Sequence, residues 1–151
     1  MTLYVESSAV LAWLLGERAA AAVREALAGA EIVLTSELTL VECDRVLIRA
    51  VNRAGLSEAE AADRRARLNH AAAHWTLLAL DAAVIERARR PFPREPIRTL
   101  DALHMASALV ARAAVPNTAL LALDHRIRAC AHQLGFALIP SSPPGGRPNP
   151  Q

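Results

Sequence analysis

Short apolar runs alternate along the chain with longer stretches in which apolar residues recur every three or four positions, a pattern that predicts strands alternating with helices. Leu3, Tyr4 and Val5 form the first run, followed by Ser7 and Ser8 as candidate N-caps for an apolar helical segment over about residues 9–15. A second helix is expected over about 18–27 with Gly29 as its stop signal, then a β-branched strand at Ile32, Val33, Leu34 and Thr35. Ser36 can cap the next helix, about 38–53, where Leu40, Val41, Leu47, Ile48 and Val51 make a core-facing stripe that Gly55 ends. Ser57 followed three residues later by Glu60 is a capping-box signature opening a third long helix to about residue 73, with Arg64, Arg65 and Arg67 on its exposed face.

The second half repeats the alternation. A strand is expected over about 76–80, with Asp81 as the cap of a helix to about residue 90, after which Pro91, Pro93 and Pro96 impose an irregular connection. Thr99 restarts a helix to about residue 114; a strand over 119–123, a helix over 125–134 closed by Gly135, and a short strand over 136–139 complete the pattern. These elements predict an α/β fold: one domain over about 1–140, built on a central, mostly parallel sheet with helices on both faces. Residues 141–151, rich in Pro and Gly, are expected to be a flexible tail.

Composition narrows the function classes. With 151 residues, 53% of them hydrophobic and 21% charged, the chain should fold around a real core. Cys43 and Cys130 cannot supply a disulfide framework, and the N-terminus lacks the basic region and cleavage site of a secretory signal, so a reduced, cytoplasmic protein is expected. The longest uncharged stretch, 129–146, is broken by Gly135, Pro140, Pro143 and Pro144, which excludes a membrane span. All 17 basic residues are Arg, yet the net charge of +2 is too small to indicate nucleic acid by itself. Neither a dinucleotide fingerprint, a P-loop nor a nucleophile elbow is present. The five aromatics, several in core patterns, do not make a base-stacking platform.

The candidate chemistry is acidic. In open α/β sheets ligands gather at the carboxyl ends of strands near a topological switch point. Glu6 and Asp124 follow strands directly, Glu42 lies early in the 38–53 helix, and Asp101 sits in the first turn of the helix opened by Thr99. Four carboxylates converging there would repel one another unless a cation were present, and oxygen ligands of this kind suit Mg²⁺ or Mn²⁺. Such a site would activate water for attack on a phosphodiester, with no histidine required. Any one of these acids is equally well explained as a helix cap or a partner of a helix dipole.

Four segments together resemble the PIN-domain nucleases, and within them the VapC-type toxins of bacterial toxin-antitoxin pairs: YVESSAVLAWLLGE at 4–17, SELTLVECDRVLIR at 36–49, RTLDALHMASAL at 98–109 and LALDHRIRACAHQLGF at 121–136. The resemblance implies a metal-dependent endoribonuclease whose catalytic and metal-binding set is Glu6, Glu42, Asp101 and Asp124, leaving a 5′-phosphate and a 3′-hydroxyl. It further implies Mg²⁺ or Mn²⁺ as cofactor, RNA as substrate, a homodimer, and a VapB-like antitoxin as partner. The family usually places Asp where this chain has Glu6; the extra methylene means that the metal shifts by up to about 1.5 Å or the side chain folds back. A PIN-like binding module with weak catalysis, acting mainly within an antitoxin complex, is the alternative, and a phosphatase or DNA-directed nuclease on the same acids a third.

The segment LLALD occurs twice, ending at Asp81 and at Asp124. The resemblance assigns Asp124 to the site, while Asp81 is adequately explained as a helix cap. Ser8, Arg45 and Arg49 are candidate substrate contacts: the family commonly has a hydroxyl just after its first acid, and the two arginines share a helix face with Glu42. Arg45 can equally pair with Glu42 or Asp44, and Ser7, Ser8 and Ser36 can equally serve as caps. The stretch holding Arg87, Arg89, Arg90, Arg94 and Arg98 reads as a solvated face. His70 and His74 have zinc-compatible spacing without a third ligand nearby; His104 and His125 adjoin the acids, His104 being expected to pack against the sheet.

Overall fold

The computed structural model describes residues 1–142; most of the expected tail lies outside the described residues. The elements follow in the order β1 (Thr2–Val5), α1 (Ser7–Leu15), α2 (Ala20–Ala28), β2 (Ile32–Ser36), α3 (Glu37–Asn52), α4 (Glu58–Ala72), β3 (Thr76–Leu78), α5 (Ala82–Ala88), α6 (Thr99–Ala114), β4 (Ala119–Leu121), α7 (His125–Gln133) and β5 (Leu138–Ile139). The five strands form one sheet in the order β3-β2-β1-β4-β5, and every pairing is parallel. β1 is central, with Tyr4 opposite Leu34 on one side and Val5 opposite Leu121 on the other.

The strand period of two sorts side chains between two cores. Leu3 and Val5 of β1, Val33 of β2 and Ala119 and Leu121 of β4 pack with Val10 and Leu14 of α1, Val23 of α2, Cys43 of α3 and Leu68 of α4. Tyr4, Leu34 and Leu120, one residue out of phase, pack with Val84 of α5, Met105 and Ala106 of α6 and Ile127 of α7. Helices therefore cover both faces, as a parallel sheet requires. Leu3, Tyr4 and Val5 are wholly buried, and each such side chain is worth about 1.5–3 kcal/mol of transfer free energy.

The chain leaves β1 through α1 and α2 toward β2, and leaves β4 through α7 toward β5 on the opposite side. The crevice between the carboxyl ends of β1 and β4 is thus the topological switch point.

Local signals explain most boundaries. Ser36 caps α3 by accepting from Leu38 N at 3.2 Å, Ser57 and Glu60 form the reciprocal capping box of α4, and Asp81 caps α5 by accepting from Val84 N at 3.0 Å. Gly135, at φ 77°, supplies the left-handed turn after α7. The corresponding position after α3 is taken by Ala54, at φ 54°, rather than by Gly55, whose N–H instead closes back onto the Ala50 carbonyl at 2.8 Å.

Further expectations are corrected: β3 ends at Leu78 rather than residue 80, β5 begins at Leu138 rather than residue 136, and Val41 and Ile48 of the expected core-facing stripe are exposed. Ser7 and Ser8 do not cap α1: both lie within it, and Glu6 is the cap, its carboxylate accepting from Ser8 N at 3.0 Å. β4 ends at Leu121 instead of continuing to Leu123, because Leu123 N and Asp124 N donate to Ser8 Oγ rather than to a neighbouring strand. Arg128, buried, holds the ends of β4 and β5 together by donating to the carbonyls of Ala122 at 2.9 Å and Pro140 at 2.7 Å; desolvation lowers its pKa.

Candidate metal centre

The switch-point crevice collects the acids, because each is carried by an element that ends or begins there. Glu6 follows β1 and forms the buried floor, 4% exposed. Its longer side chain folds back over the start of α1: Oε1 accepts from Ser7 Oγ at 2.7 Å, and Oε2 accepts from both the Ser8 amide and the Ser8 hydroxyl. Asp124 caps α7, with Oδ1 accepting from Arg126 N at 2.8 Å and Ile127 N at 3.1 Å. The Ser8 hydroxyl bridges the two strand ends by donating to Glu6 while accepting from Leu123 N at 2.9 Å and Asp124 N at 3.1 Å. Ser8 is therefore a positioning group within the site, its hydroxyl already committed to protein partners.

Asp101 stands in the first turn of α6, where a carboxylate also complements the helix dipole, and lies 3.8 Å from Arg98 Nε. Burial raises its pKa, Asp124 and Glu6 raise it further, and Arg98 and His104 oppose them. Burial is thus the main cause, with the neighbouring carboxylates adding to it. Glu42, in the second turn of α3, completes the set from the other side of the sheet.

The residue that the sequence reading did not place in this set is His104. It is buried, and its Nε2 contacts Glu42 Oε2 and lies 4.0 Å from Glu6 Oε1. Burial disfavours the charged imidazole, but the Glu42 hydrogen bond and the charges of Glu6, Glu42 and Asp101 prevail and raise its pKa. Conversely, burial would raise the Glu42 carboxyl, but the bond and charge of His104 and the Ser7 hydroxyl lower it. The available signal was spacing: His104 lies three residues after Asp101, hence on the same face of one helix.

The remaining candidates separate cleanly. Arg45 and Arg49 are exposed and, among the described residues, form no ion pair: Asp44 pairs with Arg65 at 3.0 Å and Glu42 with His104, so the expected pairing of Arg45 is not observed. His70 and His74 meet edge to face, ring centroids 5.5 Å apart, with no third ligand group among the described residues. Asp81 remains a helix cap on α5, behind an edge strand. Tyr4 is fully buried, and burial pushes its hydroxyl pKa upward.

The donor set fits a cation. One ligand atom from each of Glu6, Glu42 and His104 lies within 4.8 Å of the others; Asp101 and Asp124 are not part of that close group. The set is not purely oxygen, as the imidazole of His104 stands among the carboxylates.

A parallel α/β sheet with an acidic cluster at its switch point defines a class, and the chain belongs to the PIN domain family, whose pattern matches residues 3–133. Among its relatives, Ribonuclease VapC35 of Mycobacterium tuberculosis is 36% identical over 106 residues, 70% of each chain. Ribonuclease VapC46 of the same organism is 34% identical over 140 residues, 93% of this chain and 98% of that one. A toxin-antitoxin complex from Klebsiella pneumoniae contains a chain of the same fold, with a TM-score of 0.61 at 15% identity over 94% of this chain and 99% of that one. No helix among the described residues is long and apolar enough to cross a membrane.

Proposed function

We propose that this chain is a metal-dependent endoribonuclease of the VapC type, the toxin of a toxin-antitoxin pair. The observation that carries the reading is the gathering of Glu6, Glu42 and His104 within 4.8 Å of one another, with Asp124 tied to Glu6 through Ser8 and Asp101 near enough for Asp124 and Glu6 to raise its pKa. Sequence similarity to proteins named as VapC ribonucleases, one along nearly its whole length, supports it. Glu6, Glu42, Asp101 and Asp124 are the proposed metal-binding and catalytic set, and His104 joins them as a neighbour that orients Glu42. Mg²⁺ or Mn²⁺, bound there, would lower the pKa of a water and offset charge developing on the phosphoryl oxygens.

The chain's own groups then have distinct tasks. Ser8 and the α7 cap hold Asp124 in register with Glu6; His104 holds Glu42; Asp101, in the first turn of α6, would offer its carboxylate to the attacking water. Hydrolysis adds the water oxygen to phosphorus and breaks the bond to O3′, leaving a 5′-phosphate and a 3′-hydroxyl. In the same reading the nuclease domain spans about 1–140 with a flexible tail over 141–151, acts in the cytoplasm as a homodimer, and is held in check by a VapB-like antitoxin.

The test is cleavage of an RNA and single-stranded DNA panel by purified protein with Mg²⁺, Mn²⁺ or EDTA, wild type beside Asp101→Asn. Metal-dependent RNA cleavage, lost by about 100-fold or more in the variant, is the expected result; cleavage unaffected by Asp101→Asn overturns the assignment. One observation favours a second reading, a binding module with weak catalysis: both Glu6 oxygens are already engaged by Ser7 and Ser8. If that engagement limits the enzyme, Glu6→Asp raises the cleavage rate.

A further inference from the structure

Beside the acids lies a cleft of about 850 Å³, between the proline-rich connection before α6 and the exposed flank of α7. Asp101 is among its lining residues while Glu6, Glu42 and His104 are not, so the cleft adjoins the acidic crevice through that one carboxylate. Arg94 and Arg98 line it from the connection, and His125 and Arg126 from the first turn of α7. All four are exposed. Among the described residues neither Arg94 nor Arg126 forms an ion pair, and Arg98 reaches only Asp101, at 3.8 Å.

The other acid of the cleft is Glu95. Its two carboxylate oxygens are turned onto the connection's own backbone, accepting from Phe92 N at 2.9 Å and Ile97 N at 2.8 Å. That staple, with Phe92 buried in the core, keeps the connection in place and leaves the arginines facing outward. The cleft thus presents three arginines to solvent, although the net charge of the whole chain is only +2.

We infer that this cleft binds the RNA strand on one side of the scissile phosphate, with Arg94 and Arg126 contacting backbone phosphates and Arg98 marking the passage to the metal centre. The inference rests on the nuclease reading. Three physical arguments carry it. Acidic sites repel a polyanion, so a substrate phosphate reaches Asp101 only if neighbouring cations offset that repulsion. Guanidinium groups bind phosphate bidentately and without a titration step. A cleft of this volume is large enough to enclose a nucleotide rather than an ion. A folded protein partner is disfavoured because three arginines line the cleft, whereas protein interfaces are depleted of charge at their centre.

The experiment is fluorescence anisotropy of labelled single-stranded RNA of about 6 and about 20 nucleotides, titrated with the full chain in EDTA so that binding is read without cleavage. Arg94→Ser/Arg126→Ser is compared with wild type and with Arg24→Ser, an exposed arginine on α2 outside the cleft. Arg98 is left intact because changing it would also disturb Asp101.

Loss of two phosphate contacts should weaken binding by about 10-fold at moderate salt and reduce the slope of log affinity against log salt by about 1.4, with Arg24→Ser unchanged. Arg94→Lys/Arg126→Lys should recover most of the affinity and all of the slope, separating lost charge from lost structure. Equal affinity and slope in wild type and the double Ser variant overturn the inference, as does an equal loss in Arg24→Ser. Unchanged RNA binding with weakened binding of an acidic peptide also overturns it, in favour of a protein ligand. Cleavage by wild type with Mn²⁺, measured in parallel, keeps the outcomes apart: failure to cleave refutes the nuclease reading, whereas cleavage with cleft variants that bind normally refutes only the assignment of the cleft.

Discussion

His104 meets the carboxylate of Glu42, 62 residues earlier in the chain, at the bottom of an acidic crevice. The two come from helices that pack in different cores: Cys43 of α3 lies with Leu3 and Val5, and Met105 of α6 lies with Tyr4. Their contact therefore closes the crevice from both sides of the sheet. It also places an imidazole among the buried acids.

Removing that group should be costly without metal and less costly with it. His104→Ala is expected to lower unfolding free energy by about 2 to 4 kcal/mol in EDTA, since it leaves a partly buried charge unpaired and opens a void. Mn²⁺ binds the native state and should recover part of the loss. Urea unfolding of both proteins, with and without Mn²⁺, measures this; equal stability under both conditions would refute a structural role for the pair.

Ser8 offers a test of positioning. Ser8→Ala removes the hydroxyl that accepts from Leu123 N and Asp124 N and donates to Glu6, a loss worth about 1–3 kcal/mol of stability. Because Asp124 is then free to drift, cleavage should fall by about 10-fold with KM changed far less. A change confined to KM would instead point to direct substrate contact.

The two aspartates that end the LLALD repeats can be told apart by conservative chemistry. Asn caps helices about as well as Asp, so Asp124→Asn should keep α7 within a few tenths of a kcal/mol while cleavage drops by about 100-fold. Asp81→Ala should do the reverse, costing about 1 kcal/mol of stability and leaving cleavage at the wild-type rate. Thermal melts and cleavage assays on both variants decide the matter.

The thiols should be silent in the native protein. Burial pushes the Cys43 thiol up to about 12, with Glu42, Asp44 and Glu6 adding to the effect, and burial also raises Cys130. At pH 8 about one Cys43 in 10,000 would be thiolate, so iodoacetamide should modify neither cysteine until urea unfolds the chain. Mass spectrometry of the two samples reads this directly, and native labelling at Cys43 would show that α3 opens locally.

Much of this architecture is written locally. The alternation at Leu3, Tyr4 and Val5 sends neighbouring side chains to opposite faces, and the Ser57 and Glu60 pair starts α4 where the spacing says it should. Placement of Glu6 after β1 also follows from short-range pattern, whereas the apolar run before Asp124 continues two residues past the end of β4. The α1 cap was misread because Ser is the commoner cap, whereas here a carboxylate one residue earlier reaches the same amide and takes both serine hydroxyls as well. Gly55 was misread for a similar reason: packing of the α3–α4 connection put the left-handed turn on Ala54, against the local preference.

Periodicity and turn chemistry by themselves determined the α/β class, nearly every element and the four acids worth inspecting, since these depend on interactions within a few residues. Only the tertiary structure decided that His104 stands between Glu6 and Glu42, that Ser8 ties two strand ends together, and that Arg94 and Arg126 share a cleft with Asp101. Most of those relationships join residues dozens of positions apart, and their distances are set by strand order and helix packing, which no local pattern encodes.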